Sequence, residues 1–128
     1  GDAVSAADVW RGVPVEVADL GAAIIGLGFD SDEELLALIR CVRRLSVREP
    51  IAAALEAGDA DALRREAHRL KGNVSWIHAH ALSAACSKLE EASRSCIDEA
   101  RPLVQPVLDQ FETLVAALGR AELAWSQP

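Results

Sequence analysis

Apolar residues recur along this chain at steps of three and four, the spacing that gathers them onto one face of an α-helix. The clearest run is Leu63, Ala67, Leu70, Val74 and Ile77, a narrow stripe of the kind that bundle helices bury. Asp59 stands where a capping side chain would open that helix. Leu82, Cys86, Leu89, Ser93 and Cys96 predict a second helix of the same rhythm, and Leu103, Val107, Phe111, Leu114 and Leu118 a third. Pro102 and Pro106 leave the start of this last helix open, and Gly119 is expected to end it, with Trp125 in the tail. Upstream, Leu35, Leu38, Ile39, Val42 and Leu45 follow Ser31 and Glu34, whose spacing is that of a capping box. Pro50 is expected to kink or break this helix, with Ile51 to Ala57 carrying on to a stop at Gly58. Val13 to Leu27 predict a short first helix, opened by Pro14 and closed by Gly26 and Gly28. Together these elements predict an all-α fold, an antiparallel four-helix bundle with an additional N-terminal helix. Residues 1–12 are expected to form a flexible N-terminus, 13–119 the bundle and 120–128 a C-terminal tail.

Composition agrees with that pattern. The 128 residues are one domain's worth, rich in Ala and Leu, with β-branched residues scattered rather than gathered into strand-like runs. No repeat or linker divides them. A net charge of −7 repels nucleic acid and anionic membranes, so neither is expected as a partner. The three cysteines form no CxxC pair and are expected as reduced thiols of a cytoplasmic, monomeric protein. No apolar run approaches the roughly 18 residues of a membrane span, and Gly1-Asp2-Ala3-Val4 does not read as a signal peptide.

Candidate chemistry sits at His68-Arg69-Leu70-Lys71-Gly72. At 100° per residue, His68 lies roughly 140° from the centre of its helix's apolar stripe, Lys71 about 80°, Arg64 about 100°, Ser75 about 120° and Gly72 about 180°. The imidazole is therefore expected to face solvent, with Lys71 one turn away and within reach. Gly72 costs about 1 kcal/mol in a helix interior; placed one turn after His68, it clears room beside the ring for a bulky group. Arg64, Arg65, Arg69 and Lys71 crowd around His68 in an otherwise acidic chain. Such cations suit the oxygens of a phosphoryl group. Neighbouring positive charge also favours the neutral imidazole, whose lone pair can attack phosphorus.

These residues resemble the histidine-containing phosphotransfer (HPt) domain family. The shared pattern runs from Ala57-Gly58-Asp59-Ala60 through His68-Arg-Leu-Lys71-Gly72 and His78-Ala79 to Leu82 and Cys86-Ser-Lys-Leu89-Glu90, covering residues 31–95 at fixed spacing. His78 departs from it, standing where the family usually has Gly at the turn between the two central helices. The resemblance implies a phosphorelay module, with His68 as phosphoacceptor between receiver-domain aspartates, Lys71 steadying the phosphoryl oxygens and Gly72 giving access. It further implies Arg94 as a second polar residue near the histidine, response-regulator receiver domains as partners, and Mg²⁺ in the receiver rather than in this chain. No autonomous kinase activity is expected, because no nucleotide-binding loop is present. Ile24, Leu27 and Leu36 are candidates for the apolar docking patch, or else for core packing. With no initiator Met, the chain is expected to come from a bacterial hybrid sensor histidine kinase.

Competing readings are weaker. His78-x-His80 with Cys86 nearby could suggest zinc, but residues two apart on a helix point to different faces, so no metal site is expected. Cys86 fits a small buried hydrophobe, Trp76 falls off the core stripe, and the pairs Glu90-Glu91 and Asp98-Glu99 are expected on solvated faces. A receiver-binding adaptor without phosphotransfer is the alternative function, disfavoured by the presence of both His68 and Lys71. The dimerisation-and-histidine domain of a kinase would place an acidic residue directly after the histidine, where this chain has Arg69.

Overall fold

A computed structural model describes residues 12–22 and 32–126 of the chain, and every regular element among them is helical. The elements are α1 (Asp32–Arg43), α2 (Arg48–Ala57), α3 (Ala60–Ser75), α4 (His80–Ser95), the single turn α5 (Ile97–Ala100), a 3₁₀ turn at Arg101–Leu103, and α6 (Val104–Ser126). Helix α2 packs on α3, α3 on α4, α4 on α6, and α6 returns to α1, closing a helical bundle round one core. The core is built from the expected stripes. Leu63, Ala67, Leu70, Val74 and Ile77 are buried beside Leu82, Cys86 and Leu89, with Val107, Leu114 and Leu118 from α6 and Leu35, Ile39 and Val42 from α1. Each enclosed leucine stabilises the fold by about 1.5–3 kcal/mol relative to an exposed one.

Local chemistry sets the helix ends. Gly58 takes a left-handed φ of 64°, its amide donates to the Leu55 carbonyl, and that of Asp59 donates to Ala54 at 2.9 Å. This arrangement uses up the last carbonyls of α2. Asp59 then caps the next helix, its carboxylate accepting from the Ala62 amide at 3.0 Å. One residue thus ends α2 and starts α3. The break between α1 and α2 comes before Pro50, not at it. Residues 45–47 leave the helix and α2 restarts at Arg48. Pro50 then lies in a first turn, where an amide has no partner within the helix and its loss costs little.

Three further expectations are corrected. The first helix does not begin at Val13: the Pro14 carbonyl accepts from Val17 and Ala18 to make a turn, and helix begins at residue 20, with Asp19 accepting from Ala22 at 3.0 Å. Cys96 leaves the stripe; it is exposed and extended, because α4 already ends at Ser95. Gly119 does not end α6, which continues to Ser126 because Ala117, Leu118 and Ala121 prolong its buried face. At Gly119, α6 instead approaches Arg43, whose guanidinium bonds Glu122 together with Arg40, the latter at 2.7 Å. Ser31, Ile24, Leu27, Gly26 and Gly28, and the Trp125 side chain, lie outside the described residues.

The turn joining α3 to α4 passes through His78 at a φ of 56°, the position where the resemblance anticipated Gly. His accepts this left-handed geometry at a cost. The turn is held by the His78 amide, which donates to Ser75, and by the His78 carbonyl, which accepts from Asp19 at 3.4 Å.

A Cβ added at Gly119 would meet the Arg43 guanidinium at 3.4–3.5 Å, ordinary contact with a flexible group. Gly119→Ala should therefore stabilise the protein by about 0.5–1 kcal/mol through helix propensity, seen as a higher urea midpoint with an unchanged slope. A lower midpoint would mean that the close approach to Arg43 is the tighter constraint.

Candidate functional site

Helix α3 turns its apolar stripe to the core, and the residues beside that stripe meet α4 along one flank. His68 and Lys71 lie on this flank one turn apart, and both reach the same group on α4, the carboxylate of Glu90. His68 Nδ1 lies 2.9 Å from Glu90 Oε1, and Lys71 Nζ donates to Oε2 at 3.0 Å. Arg94, one turn along α4, brings a guanidinium nitrogen to 3.7 Å from Oε1. The three cationic or proton-bearing groups thus converge on one anion.

Burial differs sharply within the cluster. The Glu90 side chain is 8 % exposed, Lys71 33 % and His68 68 %. The carboxylate lies under the ring, and the ring faces outward. The hydrogen bond from Lys71 and then that from His68 hold the Glu90 carboxyl below the usual carboxylate range, outweighing the burial that would raise it. An ionised carboxylate only accepts hydrogen bonds, so Nδ1 carries the ring proton. In the neutral form of the ring, the lone pair is then on Nε2.

Gly72 sits on α3 with nothing within 4 Å of where a Cβ would stand, so the space one turn beyond His68 is open. Ser75, also exposed, turns its hydroxyl back to the Gly72 carbonyl at 3.4 Å. The arginines expected around the imidazole are engaged elsewhere. Arg64 donates to Asp61 at 2.7 Å, Arg65 bonds the same carboxylate, and Arg69 donates to Glu66 at 2.6 Å. Of the expected cations, Lys71 and Arg94 meet at Glu90, the carboxylate that His68 also binds, while Arg64, Arg65 and Arg69 are held by acidic neighbours on their own helix.

Glu90 is the residue that sequence reasoning missed, by grouping it with Glu91 on a solvated face. Glu91 is exposed there, but Glu90 is buried. Its spacing carried the signal: it falls four residues after Cys86 and three before Ser93, on the buried side of α4. An acidic residue at such a position needs partners of opposite charge. Cys86 is fully buried next along the stripe, and burial pushes its thiol up to about 12. Trp76 is half-buried against the core, and Leu36 on α1 is half-buried. The rings of His78 and His80 meet edge to face at 5.6 Å beside the turn.

The chain matches the Hpt domain family over residues 17–121, a span that includes every member of this cluster. No curated protein and no solved structure gives a significant match. No described helix is long and apolar enough to cross a membrane.

Because the folded Glu90 carboxyl titrates below its unfolded value of about 4.3, its pairing stabilises the fold in full above that pH. That contribution is lost as pH falls through the lower, folded value. Denaturant midpoints measured against pH should fall below about pH 4.3 in the wild type and fall less steeply in Glu90→Gln. Parallel curves for the two proteins would show that the buried carboxylate adds nothing net to stability.

Proposed function

The chain belongs to the Hpt domain family, and we propose that His68 is the residue on which it carries a phosphoryl group from one receiver-domain aspartate to another. Members of this family act in histidine phosphotransfer within phosphorelays and interact with receiver domains. The observation that carries the assignment is the anchored ring: a largely exposed imidazole whose Nδ1 meets a buried carboxylate shared with Lys71, with open space at Gly72 one turn on.

The step follows from that arrangement. Nε2 attacks the phosphorus of a receiver's aspartyl phosphate, the P–N bond forms, the P–O bond to the aspartyl carboxyl breaks, and the aspartate leaves as carboxylate. The ring keeps its Nδ1 proton and gains positive charge, which the Glu90 carboxylate offsets at 2.9 Å without reorganising. Onward transfer reverses the bond changes at a second aspartate, with neutral imidazole as leaving group. Lys71 is shared between two anions: it holds Glu90 in the resting ring and turns to the phosphoryl oxygens in transfer. Its partial exposure leaves it free to make that exchange. Gly72 leaves the space the phosphoryl group occupies. Mg²⁺ and the acidic pocket that binds it belong to the receiver. The likeness to the family also suits a cytoplasmic module, either free-standing or part of a hybrid kinase.

His68→Gln should accept no acid-labile phosphoryl label from a phosphorylated receiver while keeping the wild-type helical circular dichroism. Undiminished labelling of a folded His68→Gln protein would move the acceptor elsewhere. Lys71→Ala should slow transfer in rapid-quench assays by roughly 10-fold or more, as expected for loss of one charge-assisted contact in the transition state. Receiver affinity should change far less, and equal transfer rates would remove the lysine from the mechanism.

A further inference from the structure

Asp61 lies seven residues before His68 on α3, two turns up the helix and nearly on the same meridian. It is 62 % exposed, and its carboxylate bonds both Arg64 and Arg65. Those arginines come four and three residues before His68, on either side of its meridian. Long helical side chains lean toward the N-terminus of their helix. Asp61 waits in that direction, one turn away, and draws both guanidinium groups back from the ring. Their attraction holds the Asp61 carboxyl below the usual carboxylate range.

We propose that Asp61 restrains the phosphotransfer face by tethering Arg64 and Arg65 and by presenting its own negative charge to the incoming phosphodonor. This inference rests on the assignment of His68 as acceptor. The donor brings an aspartyl phosphate, an anion that is attracted by free guanidinium groups and repelled by a carboxylate. Asp61 therefore lowers the encounter rate twice, once by its own charge and once by occupying two cations. The exposed pairs it makes are weak and exchangeable, so a docked partner whose charges are well placed can recruit the arginines, and one whose charges are misplaced cannot. Asp61 thus acts as a specificity-setting residue for a face that would otherwise attract anions of any kind. It touches no reacting atom and acts through Arg64 and Arg65.

Glu112 on α6 provides a matched control. It is equally exposed at 62 % and pairs with Arg48 at 2.5 Å, but α6 makes its main helix contacts with α4 and α1 rather than with α3, which bears His68. Asp61→Asn and Glu112→Gln remove the same unit of charge from different faces. Each variant would be labelled by two donors across about 20 to 500 mM KCl. One is a receiver domain phosphorylated with acetyl phosphate. The other is phosphoramidate, a small anion whose P–N bond breaks to release ammonia as the bond to Nε2 forms. A unit charge acting on a dianion across about 10 Å of salt solution changes a rate by a few-fold.

With Asp61→Asn, transfer from the receiver should rise about two- to five-fold at low salt, and the gain should vanish at high salt. Glu112→Gln should give no such gain. A loss of helix stability alone would leave the salt dependence unchanged, so circular dichroism melts of both variants separate that effect. Asp61→Asn transferring at or below the wild-type rate at low salt would overturn the proposal, as would an equal gain from Glu112→Gln. In either case, wild-type labelling that is lost in His68→Gln would leave the assignment of His68 standing. A wild-type chain that neither donor labels at His68 would overturn both.

Discussion

A buried carboxylate joins the fold of this protein to its chemistry. Glu90 lies within the α3–α4 contact, where an isolated charge would be strongly unfavourable. It is tolerated because His68 and Lys71 reach it from α3 and Arg94 from its own helix. A pair of this kind adds little to stability by itself, since desolvation offsets much of the attraction. Its larger effect is on specificity of position. The carboxylate satisfies its acceptors only when α3 and α4 are in one register, and that register holds the imidazole outward with a defined tautomer. The interaction that makes burial of the acid tolerable is the one that prepares the histidine.

On the proposed role of His68, the same cluster gives a reason for Lys71 and Gly72 to follow it in an order that is poor for a helix. Lys71 reaches Glu90 from the near side of α3, while Gly72, on the outer side, leaves the ring's flank open. A larger residue at 72 would gain helix propensity and fill the open space that the proposed transfer would use. Further up the helix the charges are arranged differently. Arg64, Arg65 and Arg69 are matched by Asp61 and Glu66, so the face around His68 is basic in content but largely neutralised at rest.

Much of this was legible in the sequence because the signals are local. Helix stripes record burial directly, and Leu63 to Ile77 and Leu82 to Leu89 pack as their spacing requires. The outward direction of His68, its neighbour Lys71 and the opening at Gly72 follow from helical geometry alone. What was not legible depended on contacts between elements. Glu90 looks like half of a solvated acidic pair until α3 is laid against α4. Gly119 looks like a stop until the apolar face beyond it is seen to bury Ala121. The arginines looked like counter-charge for His68 because proximity in sequence does not reveal which of several acidic neighbours a flexible guanidinium will choose. The first helix starts later than Pro14 suggests for a local reason: Asp19 accepts from the Ala22 amide and is the stronger cap.

The turn at His78 sets the register on which Glu90 depends. Helices α3 and α4 run antiparallel from this turn, and His68 and Glu90 stand at similar distances from it along the chain, ten residues before and twelve after. Adding or removing one residue would rotate Glu90 by about 100° and slide it about 1.5 Å along its helix. The carboxylate would leave the flank that His68 and Lys71 share, and the ring would lose its anchor. A left-handed residue closes such a turn in the fewest steps, and the bond from Asp19 to the His78 carbonyl helps to hold it. Among the described residues the chain thus takes a left-handed φ at one non-glycine position, and the turn closed there fixes the alignment that holds the His68 ring against Glu90.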